Sequence, residues 1–245
     1  MQAEGLLASN VCYVYIFYNI GLSYQIPVQK KRLYDSRAMR EFAGIGLGQE
    51  PVPDETTILN LRYLMECHNL GDELFNLVNT YVAKNGMKVN RGTIVDAAII
   101  NAPTSTKNKE KSRDPDMHQT RKGNQWYFGM KAHIGVDKMG KLIHSIVVTS
   151  ANVHDSQVLE DLLHGEETRL WGDLAYAGQK KLLYKHAPNA KDFTQKKGSR
   201  YRHFTESERS VNRQKSTIRS RVEHVFGVMK NQFGFRKVRY RGIDR

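Results

Sequence analysis

Apolar positions recur at two different spacings along this 245-residue chain. Between Pro53 and Gly86 the spacing is helical. Pro53-Asp-Glu-Thr-Thr57 can cap a helix carrying Ile58, Leu61, Leu64 and Met65. A second helix from Asp72 places Leu74, Phe75, Leu77, Val78, Tyr81 and Val82 on a buried side and ends at Asn85-Gly86. With a helix over Leu33–Phe42, residues 1–88 read as a small helical N-terminal region, although residues 1–50 otherwise hold no sustained period. Gly92–Ile100 is different. Ile94, Val95, Ala97, Ala98, Ile99 and Ile100 occupy both parities of a strand-length run, which predicts a strand covered on both faces in the middle of an α/β sheet.

Further along, Pro103–Asn124 is long and polar and reads as a loop, followed by a hairpin of Tyr127–Val136 and Leu142–Thr149. Asn152–His164 predicts a capped helix with Val158, Leu159, Leu162 and Leu163 inward. Thr168–Gly172 predicts a short strand ending at Asp173, Gly178–His186 a helix, and Asp192–Thr194 a short strand within a basic loop. The last long element runs from Thr205 to Gln232. Ile218, Val222, Val225, Met229 and Phe233 mark one apolar face of it, and Thr205 with Glu208 makes a capping box. A basic tail follows, with no closing strand or helix expected in it.

One carboxylate, Asp96, sits at the centre of the apolar strand. Burying it ionised costs several kcal/mol or more unless it is bonded or paired, so it needs a metal, an arginine or backbone amides. Two other acids stand where a sheet-based site places them: Asp173 after a strand and Glu223 beside the apolar stripe of the late helix. Mg²⁺ takes carboxylate, water and phosphate oxygens, which suits acids converging from separate elements. Spacing alone also allows simpler roles. Asp173 can cap the next helix, and Arg219 with Glu223 can be an ordinary pair one turn apart.

Charge narrows the partner. Lys plus Arg number 38 against 25 for Asp plus Glu, a net +13 that points to a polyanion such as nucleic acid. The two cysteines, Cys12 and Cys67, offer neither a disulfide framework nor a zinc site, and no signal peptide or spanning helix is convincing, which suits a reducing cytoplasm.

Several stretches together resemble a known family. Gly92-Thr-Ile-Val-Asp96, Lys122-Gly-Asn-Gln-Trp-Tyr-Phe-Gly-Met-Lys-Ala-His-Ile-Gly-Val-Asp137, Ala151-Asn-Val-His-Asp155, Gly172-Asp173 with Tyr176 and Gly178, and Arg221-Val-Glu-His-Val-Phe-Gly-Val-Met-Lys230 are similar to the DDE transposases of bacterial insertion sequences, specifically the insertion-sequence-five group. The likeness runs from about residue 50 to 243. It implies an RNase H-like α/β fold over residues 89–245, a mixed sheet flanked by helices, and a DNA-end-binding role for residues 1–88. The metal-binding and catalytic acids it implies are Asp96, Asp173 and Glu223, holding two Mg²⁺ ions with Mn²⁺ as a substitute. The family's Tyr-x2-Arg-x3-Glu-x6-Lys signature matches at Arg219, Glu223 and Lys230, while Ser216 stands in place of the tyrosine.

The resemblance further implies cleavage of transposon ends and transfer of the freed 3′-hydroxyl to target DNA, by a homodimer acting in the bacterial cytoplasm at the nucleoid. Arg219 and Lys230 are expected to hold phosphates, and Arg121, Lys122, Lys196, Lys197, Arg236 and Arg239 to contact DNA. His118, Trp126, His133 and His154 recur within the motifs and are expected to pack or hydrogen-bond, and Asp155 to cap a helix. Residues before about 50 match only in scraps and the C-terminus stops early relative to the family, as in a truncated or frameshifted copy. Two other readings stay open: a non-catalytic DNA-binding remnant, and a metal-dependent nuclease of the same fold.

Overall fold

The computed structural model describes residues 31, 33–43, 55–87, 92–103, 112–196, 198, 204–239 and 242–243. They belong to two compact units, one of residues 1–77 with 230–234 and one of residues 78–229 with 235–245. Lys197, and the side chains of Ile58 and Leu61, lie outside the described residues.

The first unit contains α1 (Arg37–Ala43), α2 (Glu55–Cys67) and the start of α3 (Leu70–Lys84). Asp72 and Glu73 in the first turn of α3 and Lys84 in its last complement the helix dipole. The face expected to be buried is only partly so. Leu74, Phe75 and Val82 are half-buried, but Leu77, Val78 and Tyr81 are exposed, because the apolar residues span a wider arc than the described neighbours cover.

A six-stranded mixed sheet organises the second unit, with helices on it, as expected for an RNase H-like α/β fold. Its strands are β1 (Thr93–Asn101), β2 (His118–Lys122), β3 (Gln125–Asp137), β4 (Ile143–Ser150), β5 (Arg169–Trp171) and β6 (Lys191–Asp192). β1 lies centrally, antiparallel to β3 and parallel to β5, while β2 and β4 both pair with β3. The β3–β4 hairpin follows the expectation. β2 does not: it falls inside the stretch read as loop, where His118–Lys122 has no apolar alternation and owes its conformation to pairing with β3.

Strand parity assigns two cores. Val95 joins Leu159, Leu162, Leu170, Tyr176, Leu183, Ala187 and Ala190 on one face of the sheet, and Ile94 joins Ile134, Val136, Trp171, Val222, Val225 and Phe226 on the other. Each Val, Leu, Ile or Phe side chain among them, fully buried, contributes about 1.5–3 kcal/mol. The predicted helix over Asn152–His164 is instead two 3₁₀ turns, Asp155–Val158 and Glu160–Leu162. Val158, Leu159 and Leu162 still point inward.

Helix α4 (Lys180–His186) precedes β6, and the late helix is divided into α5 (Glu206–Arg219), α6 (Arg221–Gly227) and a π-turn (Val228–Gln232). The Thr205–Glu208 capping box is present, with both reciprocal bonds made. The tail closes more than the sequence suggests. Lys237 bridges to Asn101 at the end of β1, and the Gly242 amide donates to Asp114 Oδ2 at 2.7 Å.

Candidate active site

Asp96 shares the parity of Ile94, so it emerges on the face covered by α6. β5 pairs with β1 only at Thr93 and Ile94. Asp96 therefore lies just past the carboxyl end of β5, where groups from both faces of the sheet can reach it. Gly172 and Asp173 follow β5 at the same end.

Arg219 closes one side of the site. Its Nη1 donates to Asp96 Oδ2 at 3.0 Å and its Nη2 to Glu223 Oε1 at 3.3 Å. Arg219 ends α5, Ser220 keeps helical dihedrals at the junction, and Glu223 sits in the first turn of α6. Val222, Val225 and Phe226 fix α6 on the sheet, which holds Glu223 at the rim, 61% exposed. Arg219 and Glu223 thus form the pair one turn apart that their spacing allows, and Arg219 also reaches Asp96.

Asp173 caps the 3₁₀ turn Leu174–Tyr176, its Oδ1 accepting from the Ala175 amide at 2.8 Å. It also acts on Asp96. Burial raises the Asp96 carboxyl to about 6, the Ala97 amide at 2.9 Å and Arg219 pull it down, and the Asp173 and Asp155 charges push it back up. A buried carboxyl with two acids in its field is short of positive charge, and a hard cation suits an all-carboxylate donor set. The residues therefore fit divalent ions in kind. Among the described residues no three His, Cys, Asp or Glu are yet close enough to hold one.

The other nominated cations are scattered. Arg121 and Lys122 are exposed in β2; Arg121 faces Trp126 in register, eight positions along β3 from Ile134, the partner of Asp96, which is about 27 Å of strand. Arg121 donates to Gly123 O at 3.0 Å and lies over the Trp126 ring. Lys196 is exposed, with its backbone bonded both ways to the Asn212 side chain. Arg236 and Arg239 are exposed on the tail, and Lys230 lies in the π-turn, grouped with the first unit.

Asp155 takes a different place from the one expected of it. Asp155 was expected to cap a helix, but His154 caps that turn, and the Asp155 carboxylate accepts from Lys131 Nζ at 2.8 Å. His133 is fully buried, with Nε2 bonded to Thr149 Oγ1 at 2.9 Å and Nδ1 at 3.9 Å from Asp155. Burial lowers its imidazole to about 4. Lys131 and His133 share one face of β3, yet nothing local to Asp155 indicates that it meets them.

No helix among the described residues is long and apolar enough to cross a membrane. No solved structure matches the chain. Residues 88–245 match the family model for the transposase DDE domain, more than half of the chain. With that match joined to three acids brought to one end of a mixed sheet, this chain belongs to the transposase DDE domain family.

Proposed function

We propose that the chain is a transposase of the insertion-sequence-five group that cuts the ends of its own DNA element and joins the freed 3′-hydroxyl to a target strand. The observation that carries this reading is the link from Asp96 through Arg219 to Glu223, with Asp173 acting on Asp96. Asp96, Asp173 and Glu223 would hold two Mg²⁺, or Mn²⁺ in their place. Bound there, the ions would supply Lewis-acid activation of a water and neutralise the leaving oxygen.

The residues of the chain have separable roles. Asp96 is held by the rigid centre of the sheet, and its orientation is set by the Ala97 amide. Arg219 neutralises Asp96 and Glu223 in the resting protein; once those carboxylates turn to a cation, its guanidinium is free to hold a phosphate bidentately. Lys230 would hold a second phosphate, and Arg121, Lys122, Lys196, Lys197, Arg236 and Arg239 would position the duplex through its backbone. Residues 1–88 would recognise the element's ends, and two copies would act together.

One observation favours a second reading, a DNA-binding protein that does not cut: among the described residues no three acids stand close enough for a metal. The two are separated by incubating the full chain with Mg²⁺ and a supercoiled plasmid carrying the element and its flanks, beside Asp96→Asn. Nicked or joined products lost in the variant support the transposase. Salt-sensitive binding with intact plasmid for both proteins supports the second reading.

A further inference from the structure

Residues of α4, β6 and α5 line a cleft of about 940 Å³. Lys180 and Tyr184 share one face of α4, Lys191 comes from β6, Lys196 from the segment after it, and Lys215 from α5. Two links join this cleft to the acids. Its lining residue Gln195 donates its amide to the Gly172 carbonyl at 3.1 Å, immediately before Asp173, and Ala177, also in the lining, ends the turn that Asp173 caps. Lys215 precedes Arg219 by one turn of α5, about 6 Å along the axis, and Arg219 holds Asp96.

The lining is firmly built. Lys215 Nζ donates to Thr194 O at 2.8 Å, and the Asn212 side chain bonds both the amide and the carbonyl of Lys196, at 3.1 and 3.2 Å. The two acids of the lining, Asp192 and Glu208, are engaged by the fold. Asp192 Oδ1 accepts from the Thr194 amide at 2.8 Å and hydroxyl at 2.7 Å, and Glu208 closes the capping box with Thr205. Four lysines outnumber them. Tyr184 is 64% exposed, while its neighbour Leu183 makes the core contact of α4, so the Tyr184 ring is left to the cleft.

A cationic groove with an aromatic platform suits an unpaired nucleic acid strand, whose phosphates meet the lysines while a base stacks on the ring. Size points the same way. A volume of 940 Å³ equals a cube about 10 Å on a side, narrower than the major groove of a duplex alone, at about 12 Å.

We propose that this cleft holds an unpaired stretch of the DNA strand that passes through the acid site, with a base stacked on Tyr184 and phosphates on Lys180, Lys191 and Lys215. The inference rests on the reading of the chain as a protein that works on DNA, and it names the form of DNA held beside the acids.

The test measures anisotropy of a labelled oligothymidylate and of a duplex of the same length, over a salt series, for the full chain, Tyr184→Ala and the double variant Lys180→Ala/Lys191→Ala. These side chains are exposed, so melting temperatures should stay at the wild-type value. Tyr184→Ala is expected to weaken strand binding roughly 10-fold and leave duplex binding unchanged. The double variant should lower the salt slope of strand binding by about 1.4. Wild-type strand affinity in both variants, or a wild type that binds only the duplex, overturns the inference and leaves the DNA reading standing. Equal weakening for strand and duplex also overturns it, since the cleft would then serve the duplex. So does a mononucleotide bound as tightly as the strand, or a lowered melting temperature in both variants. A wild type that binds neither probe removes the DNA reading and the inference with it.

Discussion

Arg219 Nη1 lies 3.0 Å from Asp96 Oδ2, across 123 residues of sequence, and both side chains are largely buried. Removing one partner of such a pair leaves the other charge buried without compensation. Arg219→Ala is therefore expected to lower stability by about 2–4 kcal/mol at pH 8 and by less at pH 5, where Asp96 is protonated. Urea denaturation at the two pH values checks this. An equal loss at both would separate the effect from the Asp96 charge.

Two buried groups titrate in the same window with opposite signs. Asp96 is raised from 3.8 to about 6, so the folded chain keeps a proton that the unfolded chain releases, and its contribution to stability is full below pH 4 and lost as pH rises to 6. His133 is lowered from 6.5 to about 4, so the unfolded chain holds the proton, and its contribution is full above pH 6.5 and lost as pH falls to 4. Each amounts to roughly 3 kcal/mol. Relative to wild type, Asp96→Asn should become more stable as pH rises from 4 to 6, and His133→Gln less stable. Stability curves across that range that run parallel in all three proteins would contradict these assignments.

Much of this arrangement was legible in the sequence because it rests on local signals. The continuous apolar run around Asp96, the stripe Ile218–Val222–Val225 and the Thr205–Glu208 box each encode their own element. Contacts made at long range were less legible. β2 is polar throughout and becomes a strand only beside β3, and the tail residue Lys237 acquires its place by bridging to Asn101. Asp155 read as a cap because a single acid before an apolar stretch gives no sign of the lysine that reaches it from β3.

At the amino end of β1, Glu167 is fully buried, accepting from the His164 amide at 2.7 Å and the Gly165 amide at 2.9 Å, with the Thr93 hydroxyl nearby. Glu167→Ala strips acceptors from two backbone donors and leaves a cavity, an expected loss of about 3 kcal/mol. Glu167→Gln, which retains one oxygen acceptor, should lose less. Thermal unfolding of the two variants decides whether the carboxylate serves as this loop's anchor.

If the β2–β3 hairpin contacts DNA phosphates, Arg121→Ala and Lys122→Ala should each reduce the salt dependence of duplex binding by about 0.9 in slope. Mn²⁺ affinity should not change, since the hairpin lies about 27 Å along β3 from the level of Asp96. Fluorescence anisotropy over a salt series provides the slopes. Unaltered slopes would move the DNA path to the basic residues on the tail and beside β6.

The most direct test of the account is Mg²⁺-dependent cleavage of the element's plasmid by Asp96→Asn, Asp173→Asn and Glu223→Gln, each assayed beside its DNA binding. The account predicts that all three lose cleavage by about a thousandfold or more while retaining salt-sensitive binding, as interactions made chiefly in the transition state require. Wild-type cleavage that persists in any one of them would show that the three acids do not form one site.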